Sequence, residues 1–299
     1  MQSAVRRRPR RRSRLGDLPT ALTFLAPAIA AAVLLRLWPT ERALWDGLHS
    51  TPLGVEPRTW VGLDQFRSLF SDPTFINSLK VTALFGLVIN PLQIAAALAL
   101  AVLFNERLPG VGLMRTLVFL PVAIPASVSA VIWSVALRPD GPLNGFLALF
   151  GIGGLRFLTS PSQALPSIML VVSWIGVGYW MMFLVAGLKE IDPTLYEAAR
   201  ADGAGRIGRF RFVTLPLLRR TLAFVLVADT VSNLLVFAPV QILTQGGPNG
   251  RTNLLMNDVY ERAYTGGDIG GAGAETIVLA LITLVIVSIQ FLLLAPGEE

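Results

Sequence analysis

The chain has 299 residues, 53% of them hydrophobic and only 15% charged, with a formal net charge of +6 and no cysteine. An ordinary globular domain carries about 25% charged residues, so this composition and a mean hydropathy of +0.62 describe a chain dissolved in lipid. Disulfides are excluded, and with His49 as the sole histidine there is no His/Cys set for a zinc ion.

Residues 1–19 read as a basic cytoplasmic tail containing RRRPRRRSR, Arg6 to Arg14. A basic block beside an apolar run orients that run and contacts anionic lipid. Despite a pI near 10.4, no nucleic-acid partner is expected. Residues 20–299 read as one transmembrane domain.

Crossing a hydrocarbon core of about 30 Å takes roughly 20 mostly apolar residues. Six blocks qualify: 21–38, 79–104, 113–137, 165–188, 222–243 and 274–294. None alternates with the period of two that a barrel strand requires, so all six are predicted as helices. Ala26-Pro27-Ala28 resembles a signal-peptide cleavage site, but it lies inside the apolar run, and the first span is expected to stay as an anchor.

With the N-terminus inside, the inner segments hold sixteen Lys and Arg and the outer segments eight. This bias predicts that both termini are cytoplasmic. Outside, Gly141 to Phe150 and Thr252 to Tyr264 read as short surface helices, either docking surface for a partner or simple loop packing.

No catalytic constellation is visible. His49 reads as a surface loop residue. A phosphate-binding P-loop needs Lys followed by Ser or Thr, whereas Lys80 precedes Val81 and Lys189 precedes Glu190. The chain is not expected to be an enzyme; ATP hydrolysis, if it drives transport, belongs to another polypeptide.

The inner loop 189–220 carries a well-punctuated short helix, PTLYEAARAD. Asp192 is placed to cap it, Pro193 suits the first helical position and Gly203 the left-handed residue beyond its end. At about 15 Å it is too short to cross a membrane. Ala198, Ala199 and Ala201 leave it smooth, and Glu197 and Arg200 can pair or reach outward. Arg206, Arg209 and Arg211 alternate with Ile207, Phe210 and Phe212, a pattern suited to a membrane surface. Pro216 is expected to mark the turn back into the fifth span.

The spacing Glu197-Ala198-Ala199, three residues, Gly203, nine residues, Val213-Thr214-Leu215-Pro216 resembles the EAA loop of permease subunits in binding-protein-dependent ABC importers. That family usually has Ile where Val213 stands. WPTERALWDGLHS (Trp38 to Ser50), WVGLDQFRSLF (Trp60 to Phe70) and the stretch from Leu243 to Leu279 are similar to its carbohydrate-uptake branch, and within it to A-type permease subunits of glycerol-3-phosphate (Ugp) importers.

The resemblance implies an all-α membrane protein with six transmembrane helices in the type I ABC importer permease (MetI-like) fold, in the cytoplasmic membrane of a prokaryote. It implies four kinds of neighbour: a second homologous permease subunit, two copies of a cytoplasmic ATP-binding subunit that carry the ATP and Mg, an extracytoplasmic solute-binding protein, and lipid. No cofactor is expected in this chain. Glu197, Ala198, Ala199 and Gly203, with Arg200, Asp202, Leu215 and Pro216 of the same loop, would couple to the ATPase. The implied solute is glycerol-3-phosphate, a glycerophosphodiester such as glycerophosphocholine, or a related sugar.

Polar residues inside spans are the default pathway candidates. Asp229, Asn233, Phe237 and Gln241 recur every four residues, so neighbours share a helix face, and Asp229 is expected to look into a cavity or toward the partner. Asn90, near Pro91 and Gln93, serves equally well for helix repair, interhelical hydrogen bonding or solute contact. Trp174, Tyr179 and Trp180 can stack on a sugar or anchor an interface. No cationic site is evident in the membrane, which favours a neutral sugar, an oligosaccharide or a zwitterionic glycerophosphodiester over glycerol-3-phosphate. An ion-coupled secondary transporter would need several intramembrane carboxylates, and only Asp229 is recognised. A scaffold without transport stays open.

Overall fold

The computed structural model describes residues 18–51, 57–106 and 109–294. The basic run Arg6 to Arg14, and Arg107, lie outside the described residues. Apart from an isolated antiparallel bridge between His49 and Trp60, the described residues form helices and turns.

Helix α1 (Leu18–Ala32) runs through a π-helical turn over Val33–Leu37 into α2 (Trp38–Gly47). Helix α3 (Asp64–Ser71) precedes the 33-residue α4 (Pro73–Asn105), which starts where the Asp72 carboxylate accepts from the Thr74 amide at 2.8 Å. Helix α5 (Val111–Phe119) and α6 (Ala126–Ala136) follow, separated by a 3₁₀ turn over Leu120–Ala123. Then come α7 (Pro142–Ala148), α8 (Ala164–Lys189), α9 (Pro193–Ala201) and α10 (Arg206–Arg209). A π-helical turn over Phe210–Thr214 leads into α11 (Leu215–Leu234), followed by α12 (Ala238–Leu243), α13 (Leu255–Tyr260), a π-helical turn over Glu261–Thr265, and α14 (Ile269–Leu294).

Five helical segments are long and apolar enough to span a membrane, and the broken pair α5/α6 makes a sixth. The third span is therefore not the continuous helix expected over 113–137. It bends by 101° near residues 124–125. Pro121 sits in the 3₁₀ turn and Pro125 caps α6 in an extended conformation, and neither can supply an amide to a continuing helix. The fifth span also departs from expectation at both ends. Its helix passes through Pro216 without a turn, because the wider π turn just before it accommodates the missing amide. At the other end, α11 stops at Leu234 and α12 restarts at Ala238, with Pro239 in its first turn.

Two apolar clusters stack along the bundle. One joins Ala97, Ala101 and Phe104 of α4 to Met181, Leu184 and Leu188 of α8 and Leu218 and Val225 of α11. The other joins Phe85 and Ile89 of α4 to Ile168 of α8, Val240 of α12 and Leu254. Helix α2 crosses α14 at glycines: a Cβ on Gly273 would lie 2.6 Å from the Ala43 carbonyl oxygen, and one on Gly47 2.8 Å from the Ala274 nitrogen. In lipid, where apolar area gives no driving force between helices, such close approach supplies the packing.

The segment Thr252 to Tyr264 is largely buried rather than a surface helix. Asn253 donates to Ser78 Oγ at 2.8 Å, and the Leu255 amide donates to Thr82 Oγ at 2.8 Å, both on α4. His49 is likewise buried, its ring stacked on Trp45 at 4.2 Å between centroids. Within this segment Arg262 faces four carboxylates: Asp72, Asp258 at 3.9 Å, Asp268 at 3.6 Å and the fully buried Glu275 at 3.2 Å. One guanidinium thus ties the starts of α4 and α14 to α13. Glu275 is a second carboxylate inside a span, and its contact with Arg262 gives it a structural role.

Removing one partner of a buried ion pair strands the other, at a cost of about 3–5 kcal/mol. Arg262→Met should therefore lower thermal stability in detergent by that order, while Arg67→Ala, whose ion pair is 79% and 70% exposed, should stay within about 0.5 kcal/mol. Burial pushes the Asp72 carboxyl up, but Arg262 and the Thr74 amide outweigh it and hold the group below its ordinary value of 3.8. A depressed carboxyl stabilises above its unfolded pKa, so this contribution is present at neutral pH and is lost as pH falls below about 4. Arg262→Met should flatten that acid limb in a pH series of unfolding midpoints.

Candidate functional site

Two sites emerge at different heights of the bundle. At the end where α8 stops, α9 forms as the local signals dictate: Asp192 Oδ1 accepts from the Thr194 amide at 2.9 Å, and this bond holds the Asp192 carboxyl below its ordinary value. Gly203 has φ +83°, and the amides of Gly203 and Ala204 return to the carbonyls of Arg200 and Ala199 at 3.0 and 2.8 Å. Any side chain at Gly203 has room but sits in the left-handed region, a cost of roughly 1–2 kcal/mol.

Leu195, Glu197 and Ala198 are exposed, while Tyr196 turns inward and its hydroxyl lies 3.1 Å from Thr214 Oγ. Glu197 does not pair with Arg200, whose Nε donates instead to the Tyr196 carbonyl at 3.3 Å. Glu197 therefore makes no ion pair among the described residues and faces outward. Asp202 is exposed, and Leu215 and Pro216 are exposed in the first turn of α11.

The second site is a cavity of about 430 Å³ between α4, α6, α8, α11 and the α11/α12 break. Gln93, Ser129, Tyr179, Trp180, Asp229, Ser232, Asn233 and Phe237 line it among apolar neighbours, and no cationic side chain does among the described residues. Asn233 donates to Asn90 Oδ1 at 2.7 Å, Asn90 donates to Thr230 Oγ at 3.1 Å, and Gln290 of α14 donates to the same hydroxyl at 2.9 Å. With its amide nitrogen toward Asp229, Gln93 donates to Asp229 Oδ1 at 2.7 Å and accepts from Ser173 Oγ at 3.2 Å. The other Asp229 oxygen, Oδ2, is shielded from solvent without a close hydrogen bond, and Trp180 and Asn233 are further donors beside this carboxyl.

Of the sequence-derived pathway residues, Asp229, Asn233, Phe237, Tyr179 and Trp180 meet at this cavity. Asn90, Gln241 and Trp174 do not. Asn90 cross-links α4 to α11 rather than answering the carbonyl freed by Pro91. Gln241 donates to Glu261 at 3.1 Å, and Trp174 packs edge-on against Trp133 at 5.5 Å. The sharing of a helix face by neighbours in the series stops after Asn233, because Phe237 lies in the break between α11 and α12. Ser129 and Ser232 went unnoticed because serine inside an apolar helix carries little hydropathy signal.

Residues 93–296 match the family model described as "Binding-protein-dependent transport system inner membrane component". The chain belongs to this family. The permease named "sn-glycerol-3-phosphate transport system permease protein UgpA" of Escherichia coli O157:H7 is 34% identical over 271 residues, covering 90% of this chain and 91% of the relative. The "Trehalose/maltose transport system permease protein MalF" of Thermococcus litoralis is 31% identical over 275 residues, covering 92% and 91%. A crystal structure of a bacterial alginate ABC transporter in complex with an alginate pentasaccharide-bound periplasmic protein contains a chain with TM-score 0.79 and 25% identity, covering 92% of this chain and 93% of that one. This chain is thus a multi-pass permease subunit of a binding-protein-dependent ABC importer of the carbohydrate-uptake branch, with the MetI-like helical fold.

In such a permease the polar network is a packing element as well as a cavity wall. Asn233→Leu would leave Asn90 Oδ1 buried without its donor, at about 1–3 kcal/mol. A matching fall in detergent unfolding stability, relieved in the Asn90→Leu/Asn233→Leu pair, is the expected result.

Proposed function

We propose that this permease passes a neutral, polyhydroxylated solute, a sugar or an oligosaccharide, by alternating access driven from outside the chain. The carrying observation is a cavity whose wall holds the Asp229 carboxyl with amide and hydroxyl side chains and no cationic side chain among the described residues. Sugar hydroxyls bond carboxyl, amide and hydroxyl groups of this kind, and the aromatic residues Tyr179, Trp180 and Phe237 line the same cavity. A bare phosphate meets a carboxylate instead, so glycerol-3-phosphate is disfavoured within the membrane and would depend on recognition by the external solute-binding protein. A second reading is a zwitterionic glycerophosphodiester such as glycerophosphocholine, favoured by the juxtaposition of those three aromatic residues with a carboxylate, a setting that accepts a quaternary ammonium.

The coupling element is the exposed face of α9. In this reading both termini and α9 lie in the cytoplasm, in keeping with the sixteen-to-eight distribution of Lys and Arg. Glu197, Ala198 and Ala199 dock on an ATP-binding subunit, and Gly203 sets the angle at which the loop returns to the membrane. ATP and Mg reside on two copies of that subunit. Their closure draws this α9 and its counterpart in the second permease together and opens the cavity outward, where the solute-binding protein delivers its cargo; hydrolysis resets the pair.

Glu197→Lys or Gly203→Pro should abolish copurification of the ATPase while leaving the bundle folded. Concentration of solute in vesicles by this chain without an ATPase would overturn the proposal. With the complete importer in vesicles, Asp229→Leu should slow sugar uptake by about 10–100-fold and Asp229→Asn by about fivefold, since the amide still accepts a hydrogen bond. If glycerophosphocholine is the cargo, Asp229→Asn should cost nearly as much as Asp229→Leu, because the charge itself is then the recognition element.

A further inference from the structure

A second, larger cavity of about 880 Å³ opens behind α9, between the ends of α4 and α8 and the run from Arg206 to Thr214. Its described walls carry four cationic side chains, Lys189, Arg200, Arg206 and Arg209, against one carboxylate, Glu106. None of the four makes an ion pair with a described residue. Lys189 has a local explanation, since it sits in the last turn of α8 and offsets the negative end of that helix. Arg206 and Arg209 have none. Arg209 is half-buried, and its Nε is shielded from solvent without a hydrogen-bond partner. A guanidinium Nε–H shielded from water without an acceptor is costly, and the planar donor fork of arginine matches phosphate oxygens.

The surroundings indicate where such an acceptor comes from. Ile207 is 82% exposed and Phe212 74% exposed on the same run, apolar groups suited to the acyl boundary of a membrane with basic groups beside them at headgroup level. We propose that this cavity binds a phosphate-bearing anion, either the headgroup of an anionic lipid or a free phosphate compound, through Arg206 and Arg209 with Arg200 and Lys189 in support. Because it lies directly behind α9, the bound anion would stiffen the loop that meets the ATPase. The site is independent of which solute the permease carries, so its failure would leave the proposed function untouched.

The test is hydrogen exchange of residues 204–214 in the purified importer complex, titrated with dihexanoylphosphatidylglycerol, dihexanoylphosphatidylcholine or inorganic phosphate. Saturable protection by the glycerol lipid and none by the choline lipid is expected. Protection by inorganic phosphate as well would assign the same site to a free anion, and its absence would assign it to the lipid. Arg206→Gln/Arg209→Gln should weaken the apparent affinity about tenfold or more. Arg219→Gln/Arg220→Gln, which removes two exposed charges nearby that do not line the cavity, should change it less than about twofold. Should the first variant fail to assemble, Glu106→Gln tests the same site from the other side and is expected to tighten binding by about 2–5-fold. No saturable protection by either anion, equal losses in the two arginine variants, or a Glu106→Gln complex with unaltered affinity would each overturn the assignment.

Discussion

Amide and hydroxyl groups carried on four apolar helices have to find one another, because hydrocarbon offers them nothing. Asn90 and Gln93 on α4, Ser173 on α8, Asp229, Thr230 and Asn233 on α11, and Gln290 on α14 converge between the two apolar clusters for this reason. Apolar packing alone tolerates small slides of one helix along another. A chain of hydrogen bonds 2.7 to 3.2 Å long does not, since a shift of one residue, about 1.5 Å, would break several at once. The network therefore sets the register of the bundle, and Asp229, Gln93 and Asn233 carry it to the cavity wall.

How far the sequence discloses this architecture depends on the range of the forces involved. Helix α9 is legible almost to the residue: Asp192, Pro193 and Gly203 act within one turn of their own positions. The spans are legible as apolar blocks, yet averaging over some 20 residues conceals breaks inside them. Pro121, Pro125 and Pro239 announce those breaks only if proline is weighed by position rather than by hydropathy. Thr252 to Tyr264 reads as surface because it is polar; it is buried because Ser78 and Thr82, more than 170 residues away in sequence, supply its partners. The clasp around Arg262 is hidden partly for the same reason, since Asp72 is 190 residues away in sequence, while Asp268 and Glu275 are close in sequence but outside the i, i+4 spacing of one helix. Asp229 and Asn233 could be singled out in advance because a charge or amide within lipid needs a reason, whereas Ser129 and Ser232 could not.

The two ends of the bundle are built to different rules. Around Arg262, charges are paired in a nearly buried setting and glycine seams hold α2 to α14. Around α9, four cationic side chains face a cavity without carboxylate partners and the helix shows its smooth face to the outside. At the first end the chain supplies the cation for its own carboxylates, through Arg262. The second is unsatisfied in a manner that invites other molecules, which accords with a subunit whose family works only in assemblies.

The long N-terminal helix has a separate consequence. Every side chain described from Leu22 to Arg42 is exposed, and the arm joins the bundle chiefly where Ala43 and Gly47 meet α14. Little internal energy rides on residues 22–42. Substitutions there leave the packing of the rest untouched, so what constrains this part of the arm is its fit to lipid and to neighbouring subunits and hardly at all folding.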